Sequence, residues 1–492
     1  MITLEELVDK IWDAVGILRG YVNPSDYKNS LLRLLLLKRL SDLSEEKAKA
    51  IKQKAGNPDP SLNRLNEHCF FIPEGSRWSD LQRLEKNVGD ELNQAFAAIE
   101  GANPELRGIF TDTDNWRQVS NELLLKLIQH FSNLNLQNNN LAEQNLLGHA
   151  CEDLIERFAL SEAKRFGGAT TPRQVAKLMI RLIEPRKGMY ICDPVCGTGS
   201  LLVECTHQIE DQKGSSRNMS LYGQALNKES WVTTRINLLL HDIFDFDIRL
   251  GDTLNDPKFV QEDGELMRFD LVIANPPFNI SNWGRDEIVK LDKEKYKRFR
   301  YGTPPNSSGD YAFIQHILAS LKETGRAVVL VPHGVLFRIG SEAEIRGSII
   351  RDDLIEAVIG LAPNLFFTTS IPAAILVLNR NKEKARRKKI LLIDASREYQ
   401  ADKKQNHLRD EDLMHIMLAY HNFQDEEAYA KVVSCEELAV DDYILNIKRY
   451  VTPPKLKVDL EAEINKLREL KTERARVESE MNECLAALGV KI

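Results

Sequence analysis

The sequence lacks a long apolar run, and this absence excludes a membrane-spanning helix. In its 492 residues no stretch approaches the ~20 apolar residues that a bilayer requires. The richest stretch, residues 31–37, is interrupted by Arg33. The first six residues also lack the basic start of a signal peptide. We therefore expect a cytoplasmic protein that makes no membrane contact.

Cysteine is scarce and scattered. Seven cysteines over a chain of this length indicate reduced thiols in a cytoplasm rather than a disulfide framework. Cys192 and Cys196 lie close together, but no second Cys or His pair completes the four ligands that a structural zinc site requires. We expect no metal site.

The chain also lacks an excess of basic residues. Its net charge is −7, whereas affinity for nucleic acid depends largely on Lys and Arg that neutralise phosphates. A chain of this charge that acts on DNA is expected to need a partner for most contacts. One basic stretch has aromatic residues between its charges. Its basic residues are Lys290, Lys293, Lys295, Lys297, Arg298 and Arg300. A DNA-contacting loop is favoured there, and a solvated helix is the alternative because Asp292 and Glu294 alternate with the lysines.

Length and periodicity predict several domains. The chain exceeds the ~250–300 residues at which one core stops growing, and the apolar residues near its start recur with helical spacing. From about residue 171 onward, short apolar strands alternate with helices, which predicts an α/β fold with a doubly wound, mostly parallel sheet. We expect an N-terminal helical domain at residues 1–160, the α/β domain at 161–450 and a C-terminal packing helix at 455–492. The expected strands are residues 190–192, 221–223, 248–250, 271–274, 327–331, 357–359 and 374–378.

A glycine loop follows the first of these strands. Glycines let the backbone approach a ligand, and the N-terminus of the helix that begins at Ser200 offers free N–H groups. A P-loop would need Lys where Ser200 stands, and a dinucleotide fingerprint would need a third glycine where Leu202 stands. An acid at the strand end, Asp193, followed by Gly197 and Gly199, instead suits a ligand with an amino-acid end and a ribose. S-adenosylmethionine fits that description.

A rigid polar turn follows the strand at residues 271–274. It consists of Asn275, Pro276, Pro277 and Phe278. The Asn275 side-chain oxygen and the Pro276 carbonyl both accept hydrogen bonds, and proline adds no competing N–H. Two acceptors aimed at one amine favour a more tetrahedral nitrogen, and the Phe278 ring offers a face on which a base can stack. The turn therefore predicts a pocket for a planar amine, with a plain turn after a buried strand as the alternative.

With both segments in view, the sequence resembles the N6-adenine DNA methyltransferases. More specifically, it resembles the modification subunit of type I restriction–modification systems. The resemblance covers most of the chain and rests on the order of its segments, with the cofactor segments before the catalytic one and no inserted target-recognition domain. The matching segments are residues 27–32, 37–42, 170–173, 193–200, 251–254, 275–278, 301–305, 310–314, 331–337 and 371–376.

The resemblance implies transfer of a methyl group from S-adenosylmethionine to the N6 amine of a flipped-out adenine in duplex DNA. The implied catalytic residues are Asn275, Pro276, Pro277 and Phe278. The implied cofactor-binding residues are Gly168, Thr170, Thr171, Pro172 and Arg173 at the methionine end, Asp193, Gly197, Thr198, Gly199 and Ser200 in the loop, and Asp252 and Leu254 beside the cofactor's adenine. For Asp310 two roles stay open: contact with the substrate, or capping of the helix expected from Tyr311.

The resemblance also implies partners and contains one departure. The implied partners are duplex DNA and a specificity subunit that carries two copies of this chain; a restriction subunit, with translocase and endonuclease activity, stays open. Where the family carries an acid for the ribose hydroxyls, this chain has Ala225, for which Asn227 or Glu229 is expected to compensate. Two alternatives remain: N-methylation of protein glutamine or RNA, which could use a similar Asn-Pro-Pro-aromatic turn, and a catalytically weak scaffold subunit with the same fold, which Ala225 supports.

Overall fold

The computed structural model describes residues 1–19, 24–55, 70–111, 116–143, 145–166, 171–211, 219–366, 372–402, 405–452 and 460–487. The chain divides into two compact units, Met1–Val451 and Thr452–Ile492. The boundary expected near residue 160 stays a prediction. Among the described helices, none combines the length and apolar character that crossing a membrane demands.

The N-terminal third is helical. Helix α1 begins with a capping box, in which Thr3 Oγ1 accepts from the Glu6 N–H and Glu6 accepts from the Thr3 N–H. Leu7, Ile11 and Val15 recur at helical spacing and are buried, which confirms the predicted face. The helices of this part are α1 (Leu4–Leu18), α2 (Pro24–Ala55), α3 (Trp78–Leu81), α4 (Val88–Ala102), α5 (Asn121–Ser132) and α6 (Leu146–Phe166).

The following part forms one nine-stranded sheet in the order β3-β2-β1-β4-β5-β7-β6-β8-β9. Its strands are β1 (Tyr190–Asp193), β2 (Ser220–Ala225), β3 (Phe246–Leu250), β4 (Phe269–Ala274), β5 (Leu321–Pro332), β6 (Ile355–Gly360), β7 (Ala373–Asn379), β8 (Lys389–Asp394) and β9 (Ala430–Ser434). Only β5/β7, β6/β7 and β8/β9 pair antiparallel. The mostly parallel sheet is therefore confirmed, with all seven expected strands and two further ones.

Helices cover both faces of the sheet. Along β4, Leu271 and Ile273 pack in a cluster with residues of α7 and α8, whereas Val272 and Ala274 pack in a cluster with residues of α11 and α12. A strand buried on both faces explains the continuous apolar run that precedes Asn275. The helices of this part are α7 (Arg173–Ile183), α8 (Ser200–Asp211), α9 (Lys228–Leu240), α10 (Arg285–Glu294), α11 (Asp310–Ala319), α12 (Ser341–Arg351), α13 (Asp410–Asn422), α14 (Cys435–Val440) and α15 (Ile447–Tyr450).

The second unit contains one long helix, α16 (Leu460–Ala487). Leu467, Leu470, Val477 and Met481 are each about half exposed along it. Together these four side chains form an apolar stripe on the surface of α16.

Candidate active site

Four parallel strands bring the predicted motifs to one edge of the sheet. β1 lies between β2 and β4 and runs parallel to both, and β3 continues the parallel set. Asp193 is the last residue of β1, and Asn275 directly follows β4. Asp252 comes two residues after β3. The chain reverses its direction of strand addition between β1 and β4, where open α/β sheets form their ligand crevice.

The glycine loop between β1 and α8 is held from behind by α9. Thr234 Oγ1 donates to the Gly197 carbonyl at 2.8 Å, and Asn237 Nδ2 donates to the Thr198 carbonyl at 3.0 Å. Gly199 has φ +81°, and a Cβ there would lie 2.8 Å from the Thr234 methyl carbon. The loop can therefore lie this close to α9 only with glycine at this position, and its opposite side remains for a ligand.

Asp193 is a buried carboxylate at the base of this loop. It is 1% exposed, and its Oδ1 accepts from the Val195 N–H at 3.0 Å. Burial raises the pKa of Asp193 to about 7, and the hydrogen bond from Val195 opposes that rise only in part. A cationic group next to this carboxylate would favour its charged form, so the position suits the amino group of an amino-acid-like ligand.

The Asn-Pro-Pro-Phe turn is joined to the start of α7. Asn275 Nδ2 donates to Thr171 Oγ1 at 2.8 Å. Since the amide nitrogen is held by Thr171, the amide oxygen is the end of Asn275 that remains to accept from a substrate. Pro276 is buried, Pro277 is exposed, and the Phe278 ring is half-buried against the core.

The cofactor segment before α7 is described only in part. Pro172 precedes the helix, and Arg173 is its exposed first residue. Gly168 and Thr170 lie outside the described residues. The predicted roles of this segment therefore rest on Thr171, Pro172 and Arg173.

The loop after β3 is fixed by its own acid and by a distant arginine. Asp252 Oδ1 accepts from the Leu254 N–H at 2.9 Å. Arg298 donates to the Thr253 carbonyl at 3.2 Å and to the Leu254 carbonyl at 2.8 Å. The Leu254 side chain is buried in an apolar cluster with Trp283. The Leu254 side chain is therefore taken up by that cluster, whereas Asp252 is only partly buried.

The basic stretch after the Asn-Pro-Pro-Phe turn is only partly what the sequence predicts. Lys290, Lys295, Lys297 and Arg300 are exposed. Arg298 is fully buried and forms an ion pair with buried Asp292. The expectation that Arg298 faces DNA is therefore wrong, because its charge is used inside the protein to hold the loop after β3.

Asp310 does not cap α11, and its contact with the substrate stays a prediction. Gly309 is the N-cap of α11, and no side chain caps that helix. Asp310 Oδ1 accepts from the backbone N–H of Asn279 at 2.9 Å, and its Oδ2 pairs with Arg338 at 2.8 Å. Asp310 therefore holds the residue that follows Phe278. Sequence reasoning missed Asn279 and Arg338, because neither belongs to a local pattern that indicates this contact.

The two residues expected to compensate for Ala225 have other partners. Ala225 is buried at the end of β2. Asn227 caps α9 by accepting from the Ser230 N–H at 2.8 Å. Glu229 forms an ion pair with Lys28 at 2.7 Å. Compensation for Ala225 by either residue therefore stays a prediction.

In the described part of the chain, no group of three or more His, Cys, Asp or Glu residues has an arrangement that could hold a metal ion. Cys192 and Cys196 are buried free thiols. The groups available at this edge are therefore carboxylates, an amide, backbone groups and an aromatic ring.

Two family models match the chain. The N-6 DNA methylase model matches residues 142–459, which include every candidate site residue. The model of the HsdM N-terminal domain matches residues 7–131. The first match covers more than half of the chain, and the second covers most of the N-terminal helices.

Curated relatives and a solved structure agree with these matches. The chain is 33% identical over 488 residues to the methylase subunit of the type I restriction enzyme MjaVIII from Methanocaldococcus jannaschii, covering 95% of this chain and 82% of that protein. It is 30% identical to the methylase subunit of the type I restriction enzyme HindI from Haemophilus influenzae, and the match covers 77% of this chain and 89% of that protein. The crystal structure of a type I restriction–modification methyltransferase subunit from Streptococcus thermophilus superposes with a TM-score of 0.79 at 28% identity, covering 92% of this chain and all of that one.

Proposed function

Because this chain belongs to the methylase subunits of type I restriction enzymes, within the N-6 DNA methylase family, we propose that it methylates the N6 amine of a flipped-out adenine in duplex DNA. The methyl donor is S-adenosylmethionine, and a specificity subunit supplies target recognition. One observation carries the proposal: the hydrogen bond between Asn275 and Thr171, which joins the predicted base-side turn to the predicted cofactor segment.

The chemistry at the base side follows from the turn. The N6 amine lies inside the base stack, so the adenine must leave the duplex at a cost of a few kcal/mol. The Asn275 oxygen and the Pro276 carbonyl accept its two N–H bonds, and the Phe278 ring stacks on the base. These contacts align the nitrogen lone pair with the methyl group, and such positioning supplies most of the catalysis.

The residues at the cofactor side fit S-adenosylmethionine. When bound, it supplies an activated methyl group on a sulfonium, a good leaving group. Asp193 pairs with the amino group of its amino-acid end, and the glycine loop, packed closely on α9 at Gly199, carries the cofactor on its other side. Thr171 and Arg173 lie at the methionine end, and the second Asp252 oxygen accepts from the adenine amine.

Partner dependence follows from charge and from the second unit. The net charge of −7 opposes tight binding to a polyanion by this chain alone. The apolar stripe of α16 provides a surface for a helix of a partner, and we assign it to the specificity subunit, with two copies of this chain in the complex. A restriction subunit would join the same assembly.

A scaffold without strong catalysis is the second candidate, and Ala225 is the observation that favours it. An acid at the end of the second strand would hold the ribose hydroxyls, and both nearby substitutes have other partners. Weak or absent cofactor binding is the expected property of such a scaffold.

One experiment separates these candidates. Transfer of labelled methyl groups to adenine in duplex DNA is measured with this chain alone, with its specificity partner, and with Asn275→Ala in the same complex. We expect transfer only in the complex and its loss in the variant. Cofactor binding without transfer to DNA would contradict the proposal and favour a protein or RNA substrate, and absence of cofactor binding would favour the scaffold.

A further inference from the structure

The residue that follows the catalytic turn is held twice. Asn279 has a left-handed backbone, with φ +53°, and its N–H donates to Asp310 Oδ1 at 2.9 Å. Its side-chain oxygen accepts from Arg338 Nη2 at 2.5 Å. Because Asn279 directly follows Phe278, these bonds restrict where the aromatic ring can lie.

Arg338 is itself fixed by two buried carboxylates. Its guanidinium pairs with Asp310 at 2.8 Å and with Glu342 at 2.8 Å, and it also donates to Ser308 Oγ at 2.8 Å. Asp310 and Glu342 are 4% and 2% exposed. Burial disfavours the charge on Arg338, but hydrogen bonds and charge pairing with both carboxylates raise its pKa above the ordinary value. A planar fork that donates on two edges suits this arrangement, and a lysine ammonium does not reproduce it.

The backbone around Arg338 is fixed as well. Its N–H donates to the Gly334 carbonyl at 2.9 Å, and its carbonyl accepts from Arg346 Nη1 at 3.0 Å. A Cβ on Gly334 would lie 2.4 Å from Arg338 Nε. Glycine at 334 therefore leaves the space in which the guanidinium lies.

The catalytic turn is thus held at both ends. Thr171 binds the side chain of Asn275 at its start, and Asp310 and Arg338 bind Asn279 at its end. Between these anchors the two prolines have restricted φ angles. Such a turn presents its acceptors and its ring in one arrangement before the base arrives.

We infer that Arg338 is a positioning residue for the base pocket, acting through Asn279 on Phe278 and on the turn. This inference rests on the proposed function. Its effect falls on the reacting base and on the rate of methyl transfer, while cofactor affinity is unchanged, because the side-chain hydrogen bonds and ion pairs of Arg338 and Asn279 involve neither the glycine loop nor the loop after β3. Glu342 contributes differently: it pairs with Arg338 and Ser308 but makes no contact with the turn.

The test compares Asn279→Gly with Asn282→Gly in the complex with the specificity partner. Both asparagines are exposed and left-handed, with φ +53° and +54°, so glycine strains neither backbone. Asn282 contacts Asn306 and not Arg338. The measurements are kcat, KM for DNA, cofactor affinity by calorimetry, and fluorescence of 2-aminopurine placed at the target adenine.

We expect Asn279→Gly to lower kcat about 10- to 100-fold, the range that follows from a small misplacement of reacting groups, with cofactor affinity within about twofold of wild type. The 2-aminopurine signal should report a flipped but less ordered base, and Asn282→Gly should behave as wild type. Arg338→Gln should reproduce the loss, and Arg338→Lys should restore only part of it.

Equal kcat values for Asn279→Gly and Asn282→Gly would overturn the inference, and so would a parallel loss of cofactor affinity. Absence of transfer by the wild-type complex would instead refute the proposed function, and the inference with it. The two failures are distinguished by the wild-type measurement alone.

Discussion

Asn275 Nδ2 donates to Thr171 Oγ1 at 2.8 Å, although 104 residues separate the two in sequence. The bond fixes the orientation of the Asn275 amide and, under the proposed function, which end of it faces the base. An amide that could rotate freely would present its –NH₂ to the substrate amine in part of the population, and two donors cannot bond to each other.

We therefore expect Thr171→Val to lower kcat about tenfold, the equivalent of one hydrogen bond. Thr171→Ser keeps the hydroxyl and should retain most of the activity. The measurement is single-turnover methyl transfer at saturating cofactor, so that any role of Thr171 in cofactor affinity does not enter. If the Ser variant is slow and the Val variant is as fast as wild type, the methyl group of Thr171, and not its hydroxyl, is the important feature.

The buried carboxylate of Asp193 predicts a dependence of stability on pH. Its pKa is raised to about 7 by burial, so the folded state binds a proton that the unfolded state has lost between about pH 4 and 7. Stability from this group is therefore complete below about pH 4 and is lost as the pH rises through 7. Asn resembles the protonated acid, so Asp193→Asn should match the wild-type melting temperature at or below about pH 4 and exceed it at pH 8, where the stability difference is on the order of a few kcal/mol.

The measurement is thermal unfolding of both proteins across this pH range. Only the difference between the two melting temperatures at each pH is interpreted, because other groups titrate in both proteins. The same variant should bind S-adenosylmethionine less tightly, since it cannot provide a negative charge. A difference in melting temperature that does not change with pH would show that Asp193 is ionised in the folded protein throughout the range.

Arg298 forms a buried ion pair with Asp292. Replacing Arg298 should therefore lower the stability of the protein far more than replacing an exposed basic residue of the same stretch. Arg298→Met leaves the buried Asp292 carboxylate without its partner, which costs about 3–5 kcal/mol. Lys295→Met, at an exposed neighbour in the same stretch, should change stability by less than about 0.5 kcal/mol. Chemical denaturation of the two variants checks the comparison, and equal stabilities would contradict the buried pair.

The parallel half of the sheet was predictable because each strand there is short, apolar and followed by a motif. β8, residues Lys389–Asp394, was not predicted, since its continuous apolar run cannot be told from a buried helix by periodicity. The site was predictable where a motif is local, as with Asn275 and the glycine loop. Arg338 was not, because its partners Asp310 and Asn279 lie 28 and 59 positions away. Alternating charges also predicted exposure for Arg298, whose burial depends on how Asp292 packs.

The apolar stripe of α16 predicts where the specificity partner binds. Leu470 and Val477 are 55% and 52% exposed, so that burying the remaining area of each against a partner contributes about 1 kcal/mol. Leu470→Gln with Val477→Gln should therefore weaken the complex at least about tenfold, while cofactor binding by the same chain stays unchanged. Glu469→Gln with Arg476→Gln, also exposed on this helix, is the control and should bind the partner as wild type does. The affinity for the purified specificity subunit is measured by calorimetry or by interferometry. If both double variants bind equally well, the stripe is not the contact surface.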